Sequence, residues 1–297
     1  MDDRFPPAQA TPARASWPAL LRLIRLQNQT GTALLLLPTW WSLVLAARGL
    51  PSWELLAIFS AGAFLMRSAG VILNDLADQS FDRHVARTKS RPLASGELSR
   101  GQAFAFLALL LTGAGSLLLL LNPLTRWLAP IAVLLATLYP FAKRIIHVPQ
   151  AMLGVAFGWG TVMAWTAIRN AIEPPAWIIF AATLVWAIAY DTIYAVQDQE
   201  DDRRIGVKSA ALLFGSALWI AVGLALGIML TLLVLAGLLT EIGWAYYLTL
   251  GAVGLFFAVQ SAALRNRIDP PQAFRMFQAH VWAGAAILAG LVAGFLL

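Results

Sequence analysis

Cysteine is absent from the 297-residue chain. That excludes disulfides, thiolate-ligated haem, iron–sulfur clusters and thiol nucleophiles. Histidine is almost absent. His84, His147 and His280 are scattered without ligand spacing and read as surface or headgroup residues. Charge is scarce: 12% of residues are Asp, Glu, Lys or Arg, about half the share of a soluble domain. Also missing is the basic start and short apolar core of a cleavable signal, so residues 1–17 read as a flexible N-terminal tail.

What the chain does have is hydrophobic bulk, 60% of its residues with twelve tryptophans. The apolar runs are unbroken rather than alternating, which excludes a β-barrel. They are too long and too many for one soluble core, since a membrane span needs roughly 20 apolar residues. The class is an all-α polytopic membrane protein, with residues 18–297 as one transmembrane domain. Nine spans are expected, near 20–47, 52–73, 102–122, 126–142, 150–168, 176–196, 209–239, 243–264 and 274–297.

The net charge of +6 does not point to nucleic acid once the bases are placed. With the N-terminus inside, 17 of the 21 Lys and Arg fall on the cytoplasmic side, three outside and one, Arg67, within a span. That skew is the positive-inside pattern and supports nine spans.

The acids are also sorted. Eight of the 15 lie at the cytoplasmic ends of the second and sixth spans. In "NDLADQSFD", Asn74, Asp78 and Asp82 recur every four residues, and Asp75, Asp78 and Asp82 at i, i+3 and i+7, either set a stripe on one helix face. In "YDTIYAVQDQEDD", Asp191, Asp198 and Asp202 make a second stripe with Tyr194 beside it. Stacked carboxylates repel, so something positive must sit among them. Oxygen-only ligands suit Mg2+ or Mn2+, and Mg2+ held by few carboxylates completes its shell with water and phosphate oxygens. Two such stripes at one membrane level, ringed by Arg87, Lys89, Arg91, Lys143, Arg144 and Lys208, describe a metal–diphosphate site in which the bases meet phosphate. Arg83, Arg100, Arg203 and Arg204 read instead as headgroup or salt-bridge residues.

Arg67 lies two helical turns before Asn74, where a charge is costly and points to an anionic ligand. Tyr139 shares a face with Lys143 and by spacing alone is an interfacial aromatic. "GVAFGWG", residues 154–160, has the small residues of close helix packing.

At "NDLADQSFD" and "YDTIYAVQDQEDD" the chain resembles the UbiA superfamily of intramembrane prenyltransferases, and at "YDTIYA" and "FGW" its 4-hydroxybenzoate branch. "LMRSAGVILND", "RTKSRPLASG", "YPFAKR" and "GVKSAALLFG" extend the likeness over nearly the whole chain. The resemblance implies nine helices in a horseshoe around a lipid-open cavity under a cytoplasmic cap, in the bacterial inner membrane. It implies Mg2+-dependent transfer of a chain from polyprenyl diphosphate to the ring carbon ortho to the hydroxyl of 4-hydroxybenzoate, a step of ubiquinone biosynthesis. Asn74, Asp78, Asp82, Asp198 and Asp202 would hold the metal. Tyr139 and Lys143 would meet diphosphate, Arg67 the aromatic acid, and Asp191 the phenol or the metal. The prenyl tail would leave sideways into lipid. Membrane lipid is the expected surrounding partner, with neither nucleic acid nor an obligate protein partner expected. The family often carries a basic residue and a proline before the glycine of the first span. Here "QNQT" precedes Gly31, so neither Arg22 nor Arg25 is assigned to substrate. Another acceptor within the superfamily (naphthoate, homogentisate or haem) and an ion-coupled carrier are the competing readings.

Overall fold

The computed structural model describes residues 16–85, 87–145, 148–200, 204, 209–266 and 268–297, without the side chains of 142–145. The described residues contain no strand. Among the described residues nine helices are long and apolar enough to cross a membrane, as the hydropathy pattern predicts. Their boundaries differ from the pattern in three instructive places.

The first apolar run is two helices. A short α1 (Trp17–Leu23) starts on the Ser16 cap, and the crossing helix α2 (Thr30–Ala47) follows. Between them Arg25 has φ 55°, which ends α1. The polar break is stitched by its own side chains. Gln29 Nε2 donates to the Arg25 carbonyl at 3.0 Å, and Asn28 Oδ1 accepts from the Thr30 amide at 3.2 Å.

The second crossing helix, α3 (Trp53–Asp82), continues nine residues past the end of its apolar run. The whole segment from Asn74 to Asp82 is therefore helical, as the stripe requires. Residues 83–85 and 87–99 then make a turn-rich cap segment. Leu93 and Leu98 anchor it against Ala19, Leu23 and Ala103, and Gln79 Nε2 donates to the Leu93 carbonyl at 2.9 Å.

The seventh run is also broken. After the short α8 (Ala210–Phe214), Gly215 takes φ 49° before α9 (Leu218–Thr240). The remaining crossings are α4 (Arg100–Leu118), α5 (Pro123–Ile145), α6 (Pro149–Arg169), α7 (Pro174–Ala195), α10 (Trp244–Ala263) and α11 (Pro270–Leu296).

One apolar core joins α2, α6, α7, α9, α10 and α11 around Trp41, Trp186, Tyr190, Tyr246 and Phe257. The glycines that permit this are legible in their surroundings. A Cβ on Gly154 would stand 2.6 Å from the Leu184 carbonyl oxygen, and one on Gly158 2.9 Å from the Phe180 ring, so α6 lies tightly on α7. That is the packing role expected of "GVAFGWG". His280 belongs to this core and is not a surface residue. It is fully buried, accepts from Trp186 Nε1 at 2.9 Å through Nδ1, and stacks on Phe257. The indole proton satisfies one ring nitrogen, which makes neutral imidazole acceptable in an apolar interior. His84, in contrast, is exposed, and His147 lies outside the described residues.

On the other side α4 and α5 are only 17% buried over their spans, against 56% for the α7 span. They form a thin outer wall. Between this wall and the tight core lies the cavity.

Candidate active site

One cavity of about 880 Å³ runs between α2, α3, α4, α5, α6 and α7. Its polar end is lined by Asn74, Asp78 and Asp82 from α3 and by Asp191, Tyr194 and Asp198 from the end of α7 and the turn that follows. The two acid clusters therefore open into one space. Asp198 sits on a single 3₁₀ turn, Val196–Asp198, which tightens the helix after Ala195. Among the described residues the second cluster is thus not one continuous α-helical stripe. Asp202 and Lys208 lie outside the described residues, as do the side chains of Lys143 and Arg144.

The positive charge that the stripes demand is present. Arg91 Nη1 donates to Asp82 at 2.8 Å and to Asp75 at 3.1 Å. Arg25 Nη2 donates to Asp75 at 2.8 Å. Asp75 is 2% exposed and does not line the cavity. It is a buried anchor for two guanidiniums, while Asn74, Asp78 and Asp82 line the cavity. Across the site Arg87 grips Asp198 with Nε at 2.9 Å and Nη2 at 2.8 Å, and reaches the Tyr194 hydroxyl at 3.3 Å. Burial opposes the Arg87 charge, but Tyr194 and Asp198 outweigh it and raise the pKa above the usual arginine value.

Of the three cap-segment bases expected to meet phosphate, Arg87 and Arg91 line the cavity. Lys89 is exposed and does not. Tyr139 lines the cavity as well.

Arg67 lies deeper. Its Nε is buried and has no hydrogen-bond partner among the described residues. A Cβ on Gly31 would stand 2.8 Å from both Nε and Nη2, so glycine at that point of α2 is what makes room for the guanidinium. Tyr139, Tyr190, Arg25 and Asp75 are all close enough to act on it electrostatically. A buried, unpaired donor on a cationic side chain is costly until an anion meets it.

Some cavity residues carried no sequence signal of their own. Arg25 and Asn28 line it because the break after α1 turns the chain inward. The "QNQT" run marks that break but not its direction. Gln150 and Ser209 line it too, and their side-chain oxygens Oε1 and Oγ are buried without partners among the described residues.

As to a metal, no three carboxylates or histidines converge into a ready cage among the described residues. The acidic and amide residues lining the cavity nonetheless offer oxygen ligands, from Asn74, Asp78, Asp82 and Asp198. Such a set fits Mg2+, which usually takes one or two carboxylates plus phosphate oxygens and water rather than an all-protein cage.

The chain is 46% identical over 277 residues to the 4-hydroxybenzoate octaprenyltransferase of Pseudomonas aeruginosa (strain LESB58), covering 93% of each chain. Its fold matches the ligand-free structure of a UbiA homologue from Aeropyrum pernix K1 with a TM-score of 0.74, at 24% identity over 90% of this chain and 98% of that one. It also matches a UbiA homologue from Archaeoglobus fulgidus bound to GPP and Mg2+, with a TM-score of 0.64, at 18% identity over 94% of this chain and 100% of that one. The profile of the UbiA prenyltransferase family spans residues 35–295, and the chain is a multi-pass membrane protein that belongs to that family.

Proposed function

We propose that the protein transfers a polyprenyl chain from its diphosphate to the ring carbon ortho to the hydroxyl of 4-hydroxybenzoate. One observation carries the reading. Asp78, Asp82 and Asp198 open into the same cavity as the unpaired Arg67, so an acid end and an anion-seeking site share one space.

The donor headgroup lies between the acid clusters. Asn74, Asp78, Asp82, Asp198 and, by sequence, Asp202 would hold Mg2+, which when bound would supply Lewis-acid neutralisation of the diphosphate. Arg87 and Arg91 turn from their carboxylates toward phosphate oxygens, with Lys143, Arg144 and Lys208 as further candidates and Tyr139 donating a hydrogen bond. The allylic C–O bond breaks and its electron pair leaves with the diphosphate. The ring carbon attacks the allylic cation, a C–C bond forms and the ring proton is lost. Arg67 holds the acceptor carboxylate, which fixes the ring below the diphosphate. Asp191 takes the phenol proton, which raises the electron density of the ortho carbon, and returns it to the oxygen as the ring proton passes to the departing diphosphate. The apolar walls keep water from the cation. The excess of Lys and Arg at the acid end supports a cytoplasmic orientation for that end, in what we read as a bacterial inner membrane.

The test uses purified protein in lipid, radiolabelled 4-hydroxybenzoate and a polyprenyl diphosphate. Labelled lipid should form with Mg2+ and not with EDTA. No labelled lipid under any condition overturns the reading, and movement of label without prenylation establishes a carrier.

A further inference from the structure

Asp82 and Arg83 are neighbours in the chain, yet they open into different spaces. Asp82 lines the active-site cavity and Arg83 does not. Arg83 lines a second pocket of about 350 Å³, together with Leu76 and Ser80 of α3, Arg100 at the start of α4 and Phe141 on α5. Leu76, Ser80 and Arg83 recur at i, i+4 and i+7, so they share a face of the helix that is turned away from the stripe of Asn74, Asp78 and Asp82. No residue of this pocket lines the active-site cavity. It exists because α4 and α5 both rest on α3 and hardly touch each other. The end of α3 is left open between them.

The charge of this pocket is uncompensated. Arg22, Arg25, Arg87 and Arg91, at the same end of the molecule, each reach a carboxylate. Arg83 and Arg100 make no ion pair and no side-chain hydrogen bond among the described residues. No acid lines the pocket. Two guanidiniums facing one space repel unless an anion stands between them, and the Ser80 hydroxyl adds a further donor. The surroundings are apolar. Phe81, Phe104 and Phe141 are 54%, 50% and 44% exposed, at the level of the acid stripe, where the membrane boundary lies and aromatic rings meet headgroups. A small soluble anion has no use for three exposed rings. An amphiphile with an anionic head does.

We propose that this pocket binds the headgroup phosphate of an anionic phospholipid between Arg83, Arg100 and Ser80, with the acyl chains passing over the phenylalanines. Basic pockets between membrane helices at the cytoplasmic boundary are suited to such headgroups. A prenyl diphosphate fits less well, because no carboxylate is at hand to hold its Mg2+. The site does not depend on the reaction proposed above, but it touches the same helix. Ser80 lies between Asp78 and Asp82 in the chain, and Gln79, also in the pocket, holds the Leu93 carbonyl of the cap segment. A bound lipid therefore braces from behind the two turns of α3 that carry the acid stripe.

The test titrates the full chain in neutral detergent with phosphatidylglycerol or phosphatidylcholine and reads bound lipid by native mass spectrometry and the melting temperature in parallel. Wild type should bind one phosphatidylglycerol at least tenfold more tightly than phosphatidylcholine and melt several degrees higher with it. Arg83→Ala and Arg100→Ala should each reduce that preference to about threefold or less, and melt like wild type in detergent alone. Arg275→Ala removes one charge from the first turns of α11, outside the pocket, and should keep the full preference. Equal binding of the two lipids by wild type overturns the proposal, and so does an equal loss in Arg275→Ala, which would mean diffuse attraction. Displacement of the phosphatidylglycerol by a three-unit prenyl diphosphate overturns the choice of ligand and makes the pocket a donor-loading site. Arg83→Gln and Arg100→Gln are judged by the same ratio should an alanine variant not accumulate.

Discussion

Arg87 donates two hydrogen bonds to Asp198, a residue 111 positions away, through Nε and Nη2. This ion pair ties the cap segment after α3 to the turn after α7. It closes the acid clusters over the cavity with a planar fork that matches a carboxylate and would match a phosphate equally well. The Asp198 carboxylate thereby occupies in advance, on Arg87, the place of the negative charge that the diphosphate brings.

Replacing Arg87 by Ala should therefore weaken donor binding and leave the fold alone. The pair is partly exposed, with 45% of the Arg87 side chain accessible, and such pairs contribute roughly 0–1 kcal/mol to stability. A charge-assisted hydrogen bond lost to ligand is worth more, so kcat/KM should fall roughly tenfold to a hundredfold. Arg87→Lys should recover only part of it, because lysine lacks the fork. Donor titrations and melting curves in detergent read the two effects separately.

Asp75 and Asp78 are three residues apart and should behave oppositely. Asp75 is buried between Arg25 and Arg91. Asp75→Asn should lower stability by roughly 2–3 kcal/mol, less than the 3–5 of a fully buried pair, because Arg25 keeps some solvent. Its Mg2+ dependence should stay that of wild type. Asp78→Asn should melt like wild type and lose activity by a factor of about a hundred or more, the scale of removing one key electrostatic group. Melting temperature and Mg2+ titration of both variants check the crossed pattern.

The reasons these roles were or were not legible are physical. The i, i+4 recurrence of Asn74, Asp78 and Asp82 survives in the structure because helical periodicity is a local property. Which acid of the overlapping stripe faces the cavity depends on where Arg25 and Arg91 sit, and no local pattern contains that. The φ of 55° at Arg25 is likewise invisible, and it alone brings that arginine to Asp75. His280 looked peripheral because a lone polar residue in an apolar run has no partner in its own helix. Its partner Trp186 is 94 residues away. Arg67 was legible as costly, and its orphaned Nε gives that cost a location.

Two glycines give a stability contrast. Gly154→Ala puts a Cβ 2.6 Å from the Leu184 carbonyl oxygen, which only movement of α6 away from α7 relieves. Overpacking of this kind costs roughly 1–3 kcal/mol. Gly115→Ala has open space around the new methyl and should be neutral or slightly stabilising. Thermal unfolding of the two variants side by side checks this without any substrate.

The role of Arg67 can be separated from a structural one by changing the acceptor as well as the protein. A guanidinium that meets the acceptor carboxylate should, when replaced in Arg67→Ala, raise the KM for 4-hydroxybenzoate roughly tenfold to a hundredfold and leave the KM for the donor unchanged. An acceptor that has the phenol but no carboxylate makes no such contact. Wild type should use it poorly, and Arg67→Ala should use it no worse than wild type does. If Arg67 merely propped α3 against Gly31, the variant would lose both acceptors in the same proportion and its melting temperature would fall. Arg67→Lys offers a further division. It keeps the charge and loses the planar donor set, so it should recover part of the carboxylate preference and none of the bidentate geometry. Double-mutant analysis, with the acceptor carboxylate as the second member of the cycle, then measures the coupling directly. A coupling near zero would remove Arg67 from the acceptor site.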